Sequence, residues 1–396
     1  MLNGLRRLFW IACLGLSGTT LFGSESGSSL EIKHEYFWDR NGVWNQTPAF
    51  DLKLALSRKW SLGWEQEFDI VTGASRRLGA NRVGQSGDRS VDAVSGASKI
   101  EERYSENPSL TYSHKGVTAN VSYYNSREND YFSQSPAGSL SWDFFDRNTT
   151  LGVNFAEFFD NFAPRGFFAG LGGKKRIHSL GATLAQSLTP LTLVGITGTW
   201  IRSEGYLGHP YNPPMDSAGT MLTEIVPGKK QAGALAGQIV QGYHVGERLG
   251  SMNLDARRYQ DNWGLKSMTY DFKLSQYIFE GTYIRLRLRY YNQTGADFAK
   301  PWYTGQEAYR TGDIRYYPFV SWLGGLKISS AFPESWGESV FLPDRWDIKY
   351  DQTFRNTHGD PVGDHPGVPR YTTYQLYDPE ELYQQGVFMF GLVFNL

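Results

Sequence analysis

The chain has 396 residues and a formal net charge of -1, a balance that excludes the global basic field of a nucleic-acid-binding protein. It is 15% aromatic, with 24 Tyr, 24 Phe, 12 Trp and 44 Gly, which suits a β-protein whose aromatics sit where water meets an apolar medium better than it suits a compact cytoplasmic enzyme. The single cysteine, Cys13, lies in the N-terminal segment, so the mature chain is expected to have no disulfide, thiol nucleophile or cysteine metal site.

That segment comes first. Arg6 and Arg7 precede an apolar run from Leu8 to Leu16, and small and polar residues follow through Ser28. The order is that of a secretory signal peptide over 1–23, cleaved after Gly23 or Ser26, which leaves 24–396 as one domain. The run falls short of the ~18 apolar residues of a spanning helix. Trp10 stands where a lipid-attachment signal prefers a small or aliphatic residue, which argues against an anchor at Cys13.

Beyond the signal the hydrophobic period is two rather than 3.6. It predicts strands at 29–38, 48–57, 60–71, 102–114, 116–127, 136–145, 149–159 and 174–187. Further strands are predicted at 191–203, 230–243, 249–259, 264–276, 282–293, 312–330, 339–356 and 386–396. In "YIRLRLRYY" the residues Ile284, Leu286 and Leu288 share one face while Arg285, Arg287 and Arg289 share the other. The same division sets Leu62, Trp64 and Phe68 against Glu65, Glu67 and Asp69, and Tyr270 and Phe272 against Asp271.

Strands charged on one side need water on that side. Apolar-out, polar-in alternation is the pattern of a transmembrane antiparallel up-and-down β-barrel with lipid outside and a wet lumen. The connectors agree: Arg58-Lys59, Lys115, Asp146 to Asn148 and Thr189-Pro190 are short, whereas 72–101, 204–229, 294–311 and 357–385 are long. Short periplasmic turns, long external loops and an even strand count put both ends in the periplasm, with about 16 strands expected and 14 also compatible. The final strand, "GVFMFGLVFNL", resembles the outer-membrane insertion signal read by the barrel-assembly machinery, with Leu396 in place of the usual Phe.

The whole also resembles a bacterial family of predicted outer-membrane proteins catalogued as domain of unknown function 3570. The resemblance is carried by "VDAVSGAS" at 91–98, "RRYQDNWG" at 257–264, "LRLRYYNQTGADF" at 286–298 and "GDIRYYPFVSWLGGLK" at 312–327. It implies the barrel fold and brings no activity with it.

Several groups are candidates for chemistry. Arg285, Arg287 and Arg289 form a basic stripe, joined in the lumen by Arg257 and Arg315 where the alternation holds. Such a stripe either concentrates anions or is neutralised by Glu65, Glu67, Asp69, Asp255, Asp271 and Asp347 in a ladder of ion pairs. In "NTHGDPVGDHPG", His358, Asp360, Asp364 and His365 offer mixed ligands for a divalent cation, although no spacing there matches a specific site and a solvated loop fits equally. The loop "GYLGHPYNPP" reads as a turn-rich cap, in which His209 has no evident partner. The seven His show no catalytic motif, and no Ser, His and carboxylate set can be paired from sequence order.

One string is written twice: "DIVTGAS" from Asp69 to Ser75 and "DAVSGAS" from Asp92 to Ser98. It resembles the acceptor motif on which envelope flavin transferases attach FMN through a phosphoester, which implies Ser75 and Ser98 as acceptors. Both are Ser where Thr is usual, and no flavin-binding domain surrounds them. The alternative is architectural, with Gly73 and Gly96 supplying turns at the barrel rim. The sequence therefore leads to the expectation of a channel or envelope scaffold in outer-membrane lipid, with an FMN carrier and an outer-membrane enzyme as alternatives.

Overall fold

An open β-sheet leaves a row of N–H and C=O groups unpaired at each of its two edges, a cost that lipid cannot relieve, so a membrane sheet must close on itself. The computed structural model, described here over residues 27–39, 44–72, 77–78, 91–92, 100–165, 168–211, 213–300, 302–333, 342–356 and 383–396, shows that closure. Sixteen antiparallel strands form one closed barrel. The expected signal peptide, Gly73, Ser75, Gly96, Ser98, and the His358, Asp360, Asp364 and His365 group lie outside the described residues.

The first strands are β1 (Ser29–Asp39), β2 (Trp44–Ala55) and β3 (Trp60–Thr72). A small ribbon follows, β4 (Arg77–Leu78) with β5 (Val91–Asp92), before the barrel resumes. It continues through β6 (Ile100–His114), β7 (Val117–Arg127), β8 (Tyr131–Phe144), β9 (Thr149–Phe162), β10 (Gly173–Thr189) and β11 (Thr192–Gly205). The remainder are β12 (Lys229–Val245), β13 (Arg248–Asp261), β14 (Lys266–Phe279), β15 (Thr282–Gln293), β16 (Phe319–Ala331), β17 (Arg345–Asn356) and β18 (Tyr383–Asn395). Closure runs from Ser29 opposite Asn395 to Asp39 opposite Gln385.

Both barrel-closing ends lie on the side of the short turns. The two-residue turn Lys115-Gly116 has φ of 49° and 79°, the pair of positive values that a hairpin with matching strand twist requires. Connectors depart from the expected pattern in both directions: 332–344, between β16 and β17, is long yet lies at the turn end, and 128–130 and 262–265 are short yet lie at the loop end.

Three strands run through a proline. Pro48, Pro108 and Pro136 each keep one neighbour, pairing with His34, Trp64 and Tyr123, while the ladder on their other side skips them. A missing N–H breaks one rung and leaves the strand intact. Hence β2 and β8 begin at Trp44 and Tyr131, before the prolines at which the sequence pattern starts them.

The outer face is apolar and exposed. Leu235, Leu254, Leu286, Leu288 and Trp322 are 48 to 63% exposed, a condition that lipid accommodates and water does not. Aromatic pairs flank this band: Trp60–Tyr112 and Trp142–Phe144 at the turn end, and Phe68–Tyr104 and Tyr290–Trp322 toward the loops.

Candidate functional site

The inward face divides into sectors by charge. On β14 to β17, cations and carboxylates interleave. Arg287 donates to Asp271 at 3.1 Å and lies 3.5 Å from Asp351, while Arg289 lies 3.1 Å from Asp271. Lys327 meets Asp347 at 3.1 Å, Lys349 meets Asp351 at 2.9 Å and Lys273 meets Asp255 at 3.4 Å. Asp271, Asp347 and Asp351 are buried beneath these side chains. Arg287 is thus a rung of the neutralised ladder.

Glycine makes the longest rung possible. Gly325 of β16 lies between Arg287 and Asp351 in register, and a Cβ there would collide with Asp351 Oδ1 and crowd Arg287 Cβ. With no side chain in the way, the β15 guanidinium reaches across β16 to the β17 carboxylate. Arg285 is placed differently. It stands opposite Ser275 and Lys327, and it has no carboxylate partner among the described residues.

Past β18 the sign changes. Glu31, Asp51 and Glu65 occupy consecutive register positions across β1, β2 and β3. Glu31 is bridged by Lys33 at 2.8 Å and Glu65 accepts from Asn107 Nδ2 at 3.1 Å. Asp69, the first Asp of the repeated string, is buried in an ion pair with Arg103 and accepts a hydrogen bond from Thr47 at 2.5 Å. Glu67 lies opposite Ala49 and Ser105, and Asp92 contributes backbone pairing to Arg77.

From β7 to β12 the inward positions at mid-height are mostly short and uncharged, while Phe158, Ile177 and the Lys175–Asp160 pair face inward nearer the loop end. Asn120 donates to Thr111 at 2.8 Å and Thr183 meets Thr197 at 2.9 Å. Long charged side chains fill one half of the lumen, and hydroxyls and small residues line the other.

At the loop end, 206–228 and 294–318 fold onto each other. Asp216 bridges to Tyr303 and Ile225 to Arg310, and Tyr303, Met215, Thr311 and Asp313 are almost wholly buried. Arg315 corrects the sequence reading: it lies on a 3-10 turn, Ile314–Tyr316, rather than on a strand, and pairs with Asp313. Gln293, at the inward end of β15, donates to the Arg315 carbonyl at 2.8 Å and ties this cap to the wall. Arg257 does face the lumen, its guanidinium 5.7 Å from the Tyr259 ring.

His209 proves to have partners. Its N–H donates to Glu224 and its ring stacks on Phe162. Glu224 also accepts from Thr311 at 2.5 Å, so this one carboxyl joins the two loops. Burial, and then the Asp313 carboxylate, push Glu224 up to about 8, against the opposing effects of Thr311, the His209 N–H and Arg315. Burial and Arg315 push His209 down to about 3, so its ring is neutral across the physiological range.

A raised value in the closed state means that the cap favours protonated Glu224. That stabilisation is intact below the ordinary carboxyl value and is lost as pH rises toward about 8. Trypsin cleavage at Arg310 is therefore expected to accelerate between about pH 6 and pH 9 beyond the enzyme's own pH profile, and Glu224→Gln is expected to flatten the rise. Equal pH dependence in both proteins would remove Glu224 as the latch.

No curated protein matches the chain. Among solved structures, CdiB from Acinetobacter baumannii aligns with a TM-score of 0.53 at 8% identity, over 93% of this chain and 60% of that one. A bacterial polysaccharide outer membrane secretin aligns at 0.48 and 9%, over 94% and 99%. The outer membrane protein opdK from Pseudomonas aeruginosa aligns at 0.41 and 8%, over 93% and 98%. The likeness to CdiB is one of fold. A family model described as "Protein of unknown function (DUF3570)" matches residues 27–171 and 169–343, and the chain belongs to that family.

Proposed function

We propose that the protein lies in the bacterial outer membrane, exported by its signal peptide, as a channel for small polar solutes with a loop cap over its mouth. The observation that carries this reading is the uneven lumen. A barrel of this strand number encloses more space than short side chains fill, and at mid-height the β7 to β12 wall supplies mostly short ones, its larger inward side chains, among them Phe158, Ile177 and Lys175, lying toward the loop end. Water, and solutes that hydrogen-bond like water, fit along that wall. The ion-pair ladder occupies the opposite wall and leaves this side as the wider path.

Planar-bilayer recording of the purified, heat-shifted protein tests the reading. Stepwise conductance is expected. Silence from correctly folded protein would overturn the pore and leave an envelope scaffold. Within a conducting barrel, the cation without a carboxylate partner is the one expected to set ion preference, because its field is uncompensated. Arg285→Glu should move the reversal potential in a salt gradient toward cation preference, more than Arg287→Gln does. An equal or smaller shift at Arg285 would show that its charge does not reach the conduction path.

A further inference from the structure

On the outer face at the loop end, cations gather on one sector. Arg176 of β10, Arg202 of β11, Lys229 of β12, Arg258 of β13 and Lys266 of β14 occupy outward register positions within the last few residues of their strands. Two carboxylates share the sector: Glu157 pairs with Arg176, and Glu204 with Arg202. Lys229, Arg258 and Lys266 are exposed; Lys229 stands opposite Glu204, and Arg258 and Lys266 have no side-chain partner among the described residues. The corresponding outward positions on β6 hold Glu102 and Glu106 instead. Charge placed only to keep long side chains out of lipid would have no reason to be one-sided.

Beside them, on β9 to β11, lies an apolar surface. Phe155, Leu180 and Trp200 line a shallow groove with a volume of about 290 Å³, and His178 and Arg202 stand at its upper edge. Phe155, Leu180 and Trp200 are 44 to 52% exposed. Cations above an exposed apolar and aromatic floor match a molecule with anionic groups at the headgroup level and acyl chains below it.

We propose that this sector binds a phosphorylated glycolipid of the outer leaflet, with its phosphates between Lys229, Arg258 and Lys266 and an acyl chain against Leu180 and Trp200. Charge complementarity selects this occupant. A neutral lipid leaves five cations facing only two carboxylates, and a soluble anion leaves the apolar floor uncovered. The site faces lipid rather than lumen, so it stands whether or not the barrel conducts.

Native mass spectrometry of the purified, detergent-exchanged full chain tests it, with diphosphoryl lipid A, its dephosphorylated form and phosphatidylglycerol as probes. Diphosphoryl lipid A should remain bound most tightly. The triple variant Lys229→Gln, Arg258→Gln, Lys266→Gln should bind it about a hundredfold more weakly, from the usual effect of each basic residue at an anionic surface. Arg127→Gln, outside the sector, should leave binding unchanged, and the gel heat shift checks that every variant is folded. Unchanged binding by a folded triple variant, or equal binding of phosphatidylglycerol, would overturn the proposal.

Discussion

Asp271→Asn is expected to destabilise the barrel by about 3 kcal/mol, the low end of the range for removing one partner of a buried ion pair, because lumen water screens what remains. The carboxylate is 4% exposed, and Arg287 and Arg289 both converge on it, with Lys273 4.0 Å away. Asparagine keeps the shape and an acceptor but removes the charge, which leaves several cations confronting one another. Urea unfolding of vesicle-reconstituted protein, followed by tryptophan fluorescence, measures the change. Adding Arg289→Gln to Asp271→Asn should restore part of the loss, since the pair shares one interaction. A single-variant change under about 0.5 kcal/mol would show that the ladder is fully solvated.

Leu288→Arg is expected to cost about 2 to 4 kcal/mol and to impair insertion, because it places a cation midway along a lipid-facing strand. Leu288 is 63% exposed, so on a water-facing surface the same change would be nearly neutral. Ser139→Arg is the matched control. Ser139 is exposed on the inward face of β8, between Asn120 and Asn154, where the new side chain meets water. Insertion yield measured by the heat shift should fall for the first variant and hold for the second. Equal behaviour of the two would contradict the assignment of inner and outer faces.

How much of this was legible in the sequence depends on the range of the forces involved. Side-chain alternation is local, so the strands, their parity and the closed barrel could be read directly, and β15 was bounded at 282–293 as observed. Proline is local too, but its effect is smaller than the pattern suggests: Pro48 and Pro136 cost a rung rather than a strand. Arg287 could be placed in the lumen, whereas its pairing with Asp351 depends on two neighbouring strands and on Gly325 between them. The partners of His209 are hidden from the sequence for a similar reason. Glu224, Phe162 and Thr311 come from three separate parts of the chain, and no spacing in the sequence marks their convergence.

The pairing of β1 with β18 also governs the order of events in assembly. Ser29 meets Asn395 across 366 intervening steps of chain, the difference of the two residue numbers, and joining ends that far apart costs about 5 kcal/mol of loop entropy before any contact is made. Neighbouring hairpins face no such delay, so the sheet can grow strand by strand while its first and last edges wait. Until they meet, two rows of backbone donors and acceptors stay open, and either can capture another chain. Closure is therefore the slow, committing step. A surface or a catalyst that shields both edges through that interval would determine whether the product is a barrel or an aggregate.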